Sequence, residues 1–318
     1  MKIAVTGCAG FIGANFVNYW LDNYPADTVI GIDCLTYAAN LAALAELKVR
    51  SNFVFYSDNI CDRDAMEAIF AREACEVIVN FAAESHVDRS IDNSDVFRKT
   101  NVLGTGVLLD MAKKHGVRRF HQISTDEVYG DLPLDSDIRF TESSALKPSS
   151  PYSASKAAAD MLALSYCRTH GLSVTVSRCA NNYGIYQHVE KLIPKTVHYA
   201  LRREIFPIYG DGMNVREWIH VTDHITAVDA IIRNGSSGEV YNVGTGKLIR
   251  NIDLVENILS YLGCPPDMIT YTSDRKGHDL KYALDSTKLT TELGWHPCRD
   301  LDADLTEIID WYAANPPQ

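Results

Sequence analysis

Asp126 and Glu127 stand side by side in STDEVYG, residues 124 to 130. Adjacent carboxyls repel when both are ionised, so a site that keeps them together favours one protonated and one charged. Such a couple can act as general acid and general base, the carboxylate taking one proton while the carboxylic acid gives another. A second pair, Tyr152 and Lys156, lies four residues apart in PYSASKAAAD, which puts both on one face of a helix. An ammonium held near a phenol favours the phenolate, so the spacing predicts a tyrosine with a pKa below its ordinary value of about 10, and hence a usable base. The same spacing also arises by chance. Ser124 and Glu127 fit the capping-box pattern too, but Gly130 and Pro133 leave almost no helix to cap.

Upstream, TGCAGFIG sets Gly7, Gly10 and Gly13 where a strand gives way to a helix. Glycines there let the backbone approach a pyrophosphate, and the free N–H groups of the helix start supply donors. A tight strand-to-helix turn could use the same glycines for packing alone. Asp33, twenty residues beyond Gly13 and at the end of the next strand, is positioned to accept both hydroxyls of an adenosine ribose. That carboxylate would repel a 2′-phosphate, which favours NAD over NADP. With a dinucleotide fingerprint present, Ser124, Tyr152 and Lys156 become the trio expected to move a hydride between an alcohol carbon and a nicotinamide. Add the two acids, and a hexose could be oxidised at C4, lose its acidified C5 hydrogen and its C6 hydroxyl as water, and regain the hydride at C6.

The elements that must hold these groups alternate. KIAVTG, DTVIGID, NFVFYSD, CEVIVNFAA, VRRFHQIST and LSVTVSRCA read as strands, and helices are expected at 11–23, 40–48, 63–73, 92–115 and 151–170. Strands this apolar, separated by helices, imply a doubly wound α/β domain with a parallel sheet covered on both faces. Residues 131–151 read as a loop. The expected division is a Rossmann NAD-binding domain over 1–180 and a smaller α/β nucleotide-sugar lobe over 181–318, with some later segments returning to the first domain.

Composition bounds the rest. With 318 residues, 46% hydrophobic and a net charge of −11, the chain can bury a sizeable core and lacks the basic excess of a nucleic-acid binder. No apolar run approaches the roughly 18 residues that span a bilayer, and no signal peptide is read at the start, so neither membrane insertion nor export is expected. Eight cysteines form no CxxC pair and no Cys/His cluster at metal-ligand spacing, which fits reduced thiols in the cytoplasm and predicts no metal.

The order of these motifs resembles the extended short-chain dehydrogenase/reductase superfamily, and within it the dTDP-glucose 4,6-dehydratases. The likeness runs nearly end to end through TGCAGFIG, GIDCLTYAANL, AAESHVDRSI, NVLGT, STDEVYG, PYSASKAAAD, NNYGIYQHVEKLIP, PIYGDGMNVREWIHVTDH, YNVG and DRKGHD. By that resemblance, Tyr152 takes the C4 hydroxyl proton, Thr125 binds the same oxygen, Asp126 is the acid at C6 and Glu127 the base at C5. It also implies NAD contacts at Phe11, Ile12, Asp33, Asn59, Ile60, Ala82, Ala83, Thr100, Lys156 and Asn182. Substrate contacts are implied at Ser85, Asn181, Lys191, Leu192, Pro207, Ile208, Tyr209, Arg216, Asn251 and His278. Arg216 and Lys191 suit a diphosphate, although both could be ordinary surface charges, and Pro207–Tyr209 could be no more than an edge strand.

Where the family usually has Asp in the adenine-binding turn this chain has Asn59, and Ile185, Val189 and Lys276 replace usual prolines, which should loosen the substrate loops. The resemblance further implies a homodimer joined through the helices near 92–115 and 151–170. A nucleotide-sugar epimerase or decarboxylase, and a non-catalytic NAD-binding scaffold, are the alternatives.

Overall fold

A computed structural model describes residues 1–315. In its first half, strands β1 (Lys2–Thr6), β2 (Thr28–Ile32), β3 (Phe53–Tyr56), β4 (Val77–Asn80), β5 (Arg119–Thr125) and β6 (Val174–Cys179) alternate with helices. The helices are α1 (Phe11–Asn23), α2 (Leu41–Lys48), α3 (Arg63–Glu73), α4 (Val87–Asp92), α5 (Asp95–Phe97), α6 (Thr105–Lys114) and α7 (Pro151–His170). Later come β7 (Asn181–Tyr183), α8 (Leu192–Leu201), β8 (Phe206–Tyr209), β9 (Val215–His220), α9 (Val221–Asn234), β10 (Val240–Val243), β11 (Leu248–Arg250) and α10 (Asn251–Tyr261). The chain finishes with β12 (Ile269–Thr272), α11 (Thr287–Leu293) and α12 (Leu301–Ala314).

Seven strands form one all-parallel sheet in the order β10-β6-β5-β4-β1-β2-β3. Both faces are covered, which is why its strands are apolar without alternation. Phe16, Trp20, Leu44 and Val228 of α1, α2 and α9 pack on one face; Phe70, Leu108, Met111 and Ala163 of α3, α6 and α7 pack on the other. The strand order reverses between β1 and β4, and that reversal opens a crevice at the carboxyl ends, where ligands bind in such sheets. Two smaller sheets, β11-β9-β7 and β12-β8, pack with α8, α10 and α12 into a second lobe above it.

The lobes are not consecutive along the chain. Beyond residue 180, α9 returns to pack beside α1 in the same apolar cluster, and β10 pairs in register with β6 from Val240↔Val176 to Val243↔Cys179.

Helix α7 starts where its sequence dictates. Ser150 and Ser153 form a reciprocal capping box, Pro151 fills the first turn, and Gly171 closes the far end in the left-handed region at φ 69°. Such a cap stabilises a helix end by about 1 kcal/mol, and here it fixes the turn that carries Tyr152. The helix expected over 92–115 is interrupted. Asn93 is extended at φ −146°, and a wide π turn, Arg98–Gly104, precedes α6. That turn holds the buried Asn101, whose amide bonds the Glu84 N–H and carbonyl and the Ser155 hydroxyl at 2.8–3.0 Å.

The Ser124–Glu127 capping box does not form. Asp126–Tyr129 is a single 3₁₀ turn whose N-cap is Thr125, accepting from the Glu127 N–H at 3.3 Å. The Ser124 hydroxyl turns away and donates to Asp160 at 2.9 Å. Successive side chains of a strand point to opposite faces, so β5 can send only one of these two hydroxyls toward the crevice.

Candidate active site

The crevice is a cavity of about 620 Å³ between the two lobes. Its floor is the glycine turn and the ends of β5 and β6; its roof is built from β8, Arg216 of β9, and the segments 187–195 and 275–282. Asp126, Glu127, Tyr152 and Lys156 all line it, with Ser124 and Thr125 beside them.

The two acids sit in different surroundings. Asp126 is 1% exposed, and burial, then the neighbouring Glu127 and Glu217, push its pKa well above the usual carboxylate range. Its Oδ1 accepts from the Thr125 hydroxyl at 3.1 Å, and its Oδ2 has no partner. Glu127 is half-buried; burial raises its pKa too, and Arg216, Lys191 and Arg275 offset part of that rise. The turn therefore presents two carboxyls in unequal surroundings, with burial favouring the proton on Asp126 and three cations favouring the charged form of Glu127, which is the division an acid–base couple needs.

The phenol differs from the sequence expectation. Burial, then the charges of Glu127, Cys179 and Asp126, raise the Tyr152 pKa well above its ordinary value, against a lowering hydrogen bond from Thr125. Lys156 points its ammonium at the Ile123 carbonyl, 2.6 Å away, and burial lowers its own pKa. The i, i+4 spacing brings the two residues to one wall, but burial above all, and then nearby acidic groups, hold the proton on the phenol.

At the floor, a Cβ on Gly7 would lie 2.7 Å from the Ala82 nitrogen, and one on Gly13 would lie 2.1 Å from the Gly7 carbonyl. Those two glycines serve close backbone packing. Gly10 differs: a Cβ there would meet only the Gly7 carbonyl, at 3.3 Å, and would otherwise fill the cavity that Gly10 lines. That cradle at the start of α1 fits a dinucleotide pyrophosphate. Asp33 closes the turn by accepting from the Ala9 and Leu35 N–H groups at 2.9 and 2.8 Å. Each of its oxygens keeps a second lone pair, enough for the ribose hydroxyls of NAD.

Of the other residues expected to touch NAD, Phe11, Ile12, Ala83 and Asn182 line the cavity, whereas Asp33, Asn59, Ile60, Ala82 and Thr100 lie outside its lining. Asn59 accepts from the Cys61 N–H in the turn before α3, and Ile60 is a core side chain, 4% exposed. Every residue expected to touch substrate lines the cavity: Ser85, Thr125, Asn181, Lys191, Leu192, Pro207, Ile208, Tyr209, Arg216, Asn251 and His278. Pro207–Tyr209 belong to strand β8 and face the cavity at the same time. The segment that lacks the prolines is tied down by α12 and α1. Tyr312 bonds the Gly184 carbonyl and the Gln187 N–H at 2.8 and 3.0 Å, and Asn15 donates to the Ile185 carbonyl at 3.2 Å.

Sequence reasoning missed several lining residues. Arg275 pairs with Asp88 of α4 at 2.5 Å, and Tyr209 donates to the same carboxylate at 3.2 Å, so the roof is stitched to the floor lobe. Glu190 receives His86 at 3.4 Å and Arg89 at 3.6 Å on the neighbouring rim. Tyr282 stacks 4.3 Å beneath the Arg216 guanidinium. The first three lie inside quoted stretches, DRKGHD, AAESHVDRSI and NNYGIYQHVEKLIP, and charge alone could have flagged them; Tyr282 carries no such signal.

The family model described as GDP-mannose 4,6 dehydratase matches residues 4–308. The low-salt glycan biosynthesis protein Agl12 of Haloferax volcanii is 48% identical, over 98% of this chain and 98% of its own. The dTDP-glucose 4,6-dehydratase of Streptomyces niveus is 44% identical, over 99% and 94%. Among solved structures, the dTDP-glucose 4,6-dehydratase DesIV of Streptomyces venezuelae, crystallised with NAD bound, superposes with a TM-score of 0.95 at 44% identity, covering 99% of this chain and 98% of that one.

Proposed function

Because the chain belongs to the GDP-mannose 4,6 dehydratase family, we propose that the cavity dehydrates a hexose held on a nucleoside diphosphate, with dTDP-glucose as substrate and NAD as cofactor. The product is dTDP-4-keto-6-deoxyglucose, and the enzyme is a hydro-lyase of deoxysugar biosynthesis. One observation carries the reading: two adjacent carboxyls in unlike surroundings, Asp126 buried with an unpartnered oxygen and Glu127 half-buried under the pull of Arg216, Lys191 and Arg275, in the cavity that Tyr152 and Lys156 line.

Bound NAD supplies a hydride acceptor for C4 and a hydride donor for C6. Tyr152 receives the proton of the C4 hydroxyl, and Thr125, which lines the same cavity, orients that oxygen. Once C4 is a ketone the C5 hydrogen is acidic, and the Glu127 carboxylate removes it. Asp126, kept protonated by burial, gives its proton to the departing C6 hydroxyl, which leaves as water. Arg216 and Lys191 pair with the diphosphate, and their charge also favours the Glu127 carboxylate. The roof of β8 and 275–282 overlies the site and lowers its exposure to water, which strengthens each of these interactions.

A labelled sugar tests the reading. dTDP-glucose with deuterium at C4 should return it at C6 with no added cofactor; a galactose product still labelled at C4 would mark an epimerase, and no product from protein that holds NAD a scaffold.

A homodimer through the helices near 92–115 and 151–170 is part of the same proposal, supported by Leu103 of the π turn before α6 and Met161 of α7, which are 65% and 48% exposed. Sedimentation of a monomer would overturn it. Cytoplasmic residence is proposed on eight cysteines that are all unpaired. No helix among the described residues is long and apolar enough to cross a membrane.

A further inference from the structure

Ser124 and Tyr129 bracket the acid–base pair, and one buried guanidinium–carboxylate pair holds both. Asp160, one turn beyond Lys156 on α7, is fully buried. Its Oδ2 accepts from the Ser124 hydroxyl at 2.9 Å and from Arg178 Nε at 3.0 Å. Arg178 of β6 is 2% exposed; its Nη1 donates to the Tyr129 hydroxyl at 3.0 Å, and its guanidinium lies 4.9 Å from that ring. Tyr129 in turn donates to Asn242 of β10 at 2.7 Å, and Asn242 donates to the Phe140 carbonyl at 2.8 Å. This chain of bonds runs beneath the turn that carries Asp126 and Glu127, and none of Asp160, Arg178 or Tyr129 lines the cavity.

Burying a charged pair is costly unless neighbours complete its hydrogen bonds. Here the groups that add bonds to the pair are the two ends of the acid–base turn, while Asp160 Oδ1 has no partner. Such a network locks a geometry, because moving either end leaves a buried donor or acceptor unpaired. The other proton-handling residue makes no hydrogen bond to it: Tyr152 sits in the capped first turn of α7, and Lys156, though it feels the Asp160 charge, bonds the Ile123 carbonyl.

We propose that Asp160 and Arg178 are positioning residues that fix the Asp126–Glu127 turn against the sugar, so that weakening the network slows the elimination while sparing oxidation at C4. The inference rests on the function proposed above. Two variants probe it. Tyr129→Phe removes one hydroxyl and keeps the ring stacked on Phe140, whose centroid is 5.0 Å away. Arg178→Lys keeps the charge and loses the fork that reaches two partners.

Each holoenzyme is mixed with dTDP-glucose, unlabelled or deuterated at C5, and reduced nicotinamide is followed by its near-ultraviolet absorbance alongside turnover. The expected result is a fall in turnover of about 10- to 100-fold, reduced nicotinamide accumulating above the wild-type level, and a larger C5 isotope effect. Unchanged turnover overturns the proposal. So does a fall with no extra reduced nicotinamide, since general damage to the fold slows both steps alike. Should Arg178→Lys lose its NAD, Tyr129→Phe decides. A wild-type enzyme that fails to dehydrate the sugar overturns the underlying reading of the site instead.

Discussion

At the Glu127 end of the cavity, Arg216, Lys191 and Arg275 oppose the effect of burial. At the Tyr152 end, burial and the charges of Glu127, Cys179 and Asp126 all keep the proton on the phenol, against one hydrogen bond from Thr125. Both ends handle protons, yet only the first is tuned by cations of this chain. The difference teaches that this chain gathers its cavity cations around Glu127, the proposed base, and sets none of comparable effect against the Tyr152 phenol.

The largest test of that contrast is a pair of substitutions. Glu127→Gln and Tyr152→Phe should each lower turnover by roughly 10²–10⁴, but reduced nicotinamide should build up only in Glu127→Gln, where oxidation precedes the block. Equal accumulation in both, followed by absorbance after rapid mixing, would erase the distinction between the two ends.

Smaller in effect is Arg216→Gln. Removing a cation that favours the Glu127 carboxylate raises that pKa, and the base must be ionised to work, so the acidic limb of the kcat profile should move to higher pH. Turnover on that limb falls about tenfold for each unit of movement. An acidic limb that stays in place would show that the guanidinium does not tune Glu127.

Next comes stability at Asp126. Its folded pKa is raised, so between the ordinary carboxyl pKa and the raised one the folded state holds a proton that the unfolded state has lost, and stability falls as pH rises through that window. Asp126→Asn removes the loss. Its melting temperature should exceed wild type by roughly 2 °C at neutral pH, with no gain at pH values below the ordinary carboxyl pKa.

The least effect at neutral pH is expected from the interior histidines, which guard against mistaking unfolding for titration of Glu127. Burial lowers His121 and His224 to about 3. Unfolded, each would titrate near 6.5, so the stability they contribute is fully present above about 6.5 and drains away as pH falls toward 3. Denaturant midpoints at successive pH values should trace that decline, and His224→Gln should flatten it.

Much of this was legible in the residues. Apolar, uninterrupted strand runs and the glycine turn announced a covered parallel sheet, and the STDEVYG and PYSASKAAAD stretches placed their side chains on one cavity. What escaped was set by non-local contacts. No pattern in 92–115 foretells that Asn101 will reach back to Glu84 and widen its turn, and the expected return of later segments did not say that α9 and β10 would be the ones. Charge balance was equally hidden: four-residue spacing located Lys156 near Tyr152 but could not show its ammonium spent on Ile123. Roles for Asp33 and the flanking glycines divided between holding a turn and facing a ligand, and sequence cannot separate those uses.

The return of β10 to the edge of the main sheet beside β6 sets how this protein can be taken apart. A cut after residue 180 strips β6 of its parallel neighbour and α1 of the helix beside it, leaving an unpaired edge open to aggregation. The roof is not a cassette that could be exchanged for that of a relative at one junction. Altering which sugar nucleotide is accepted calls for substitution within the roof, not grafting of it.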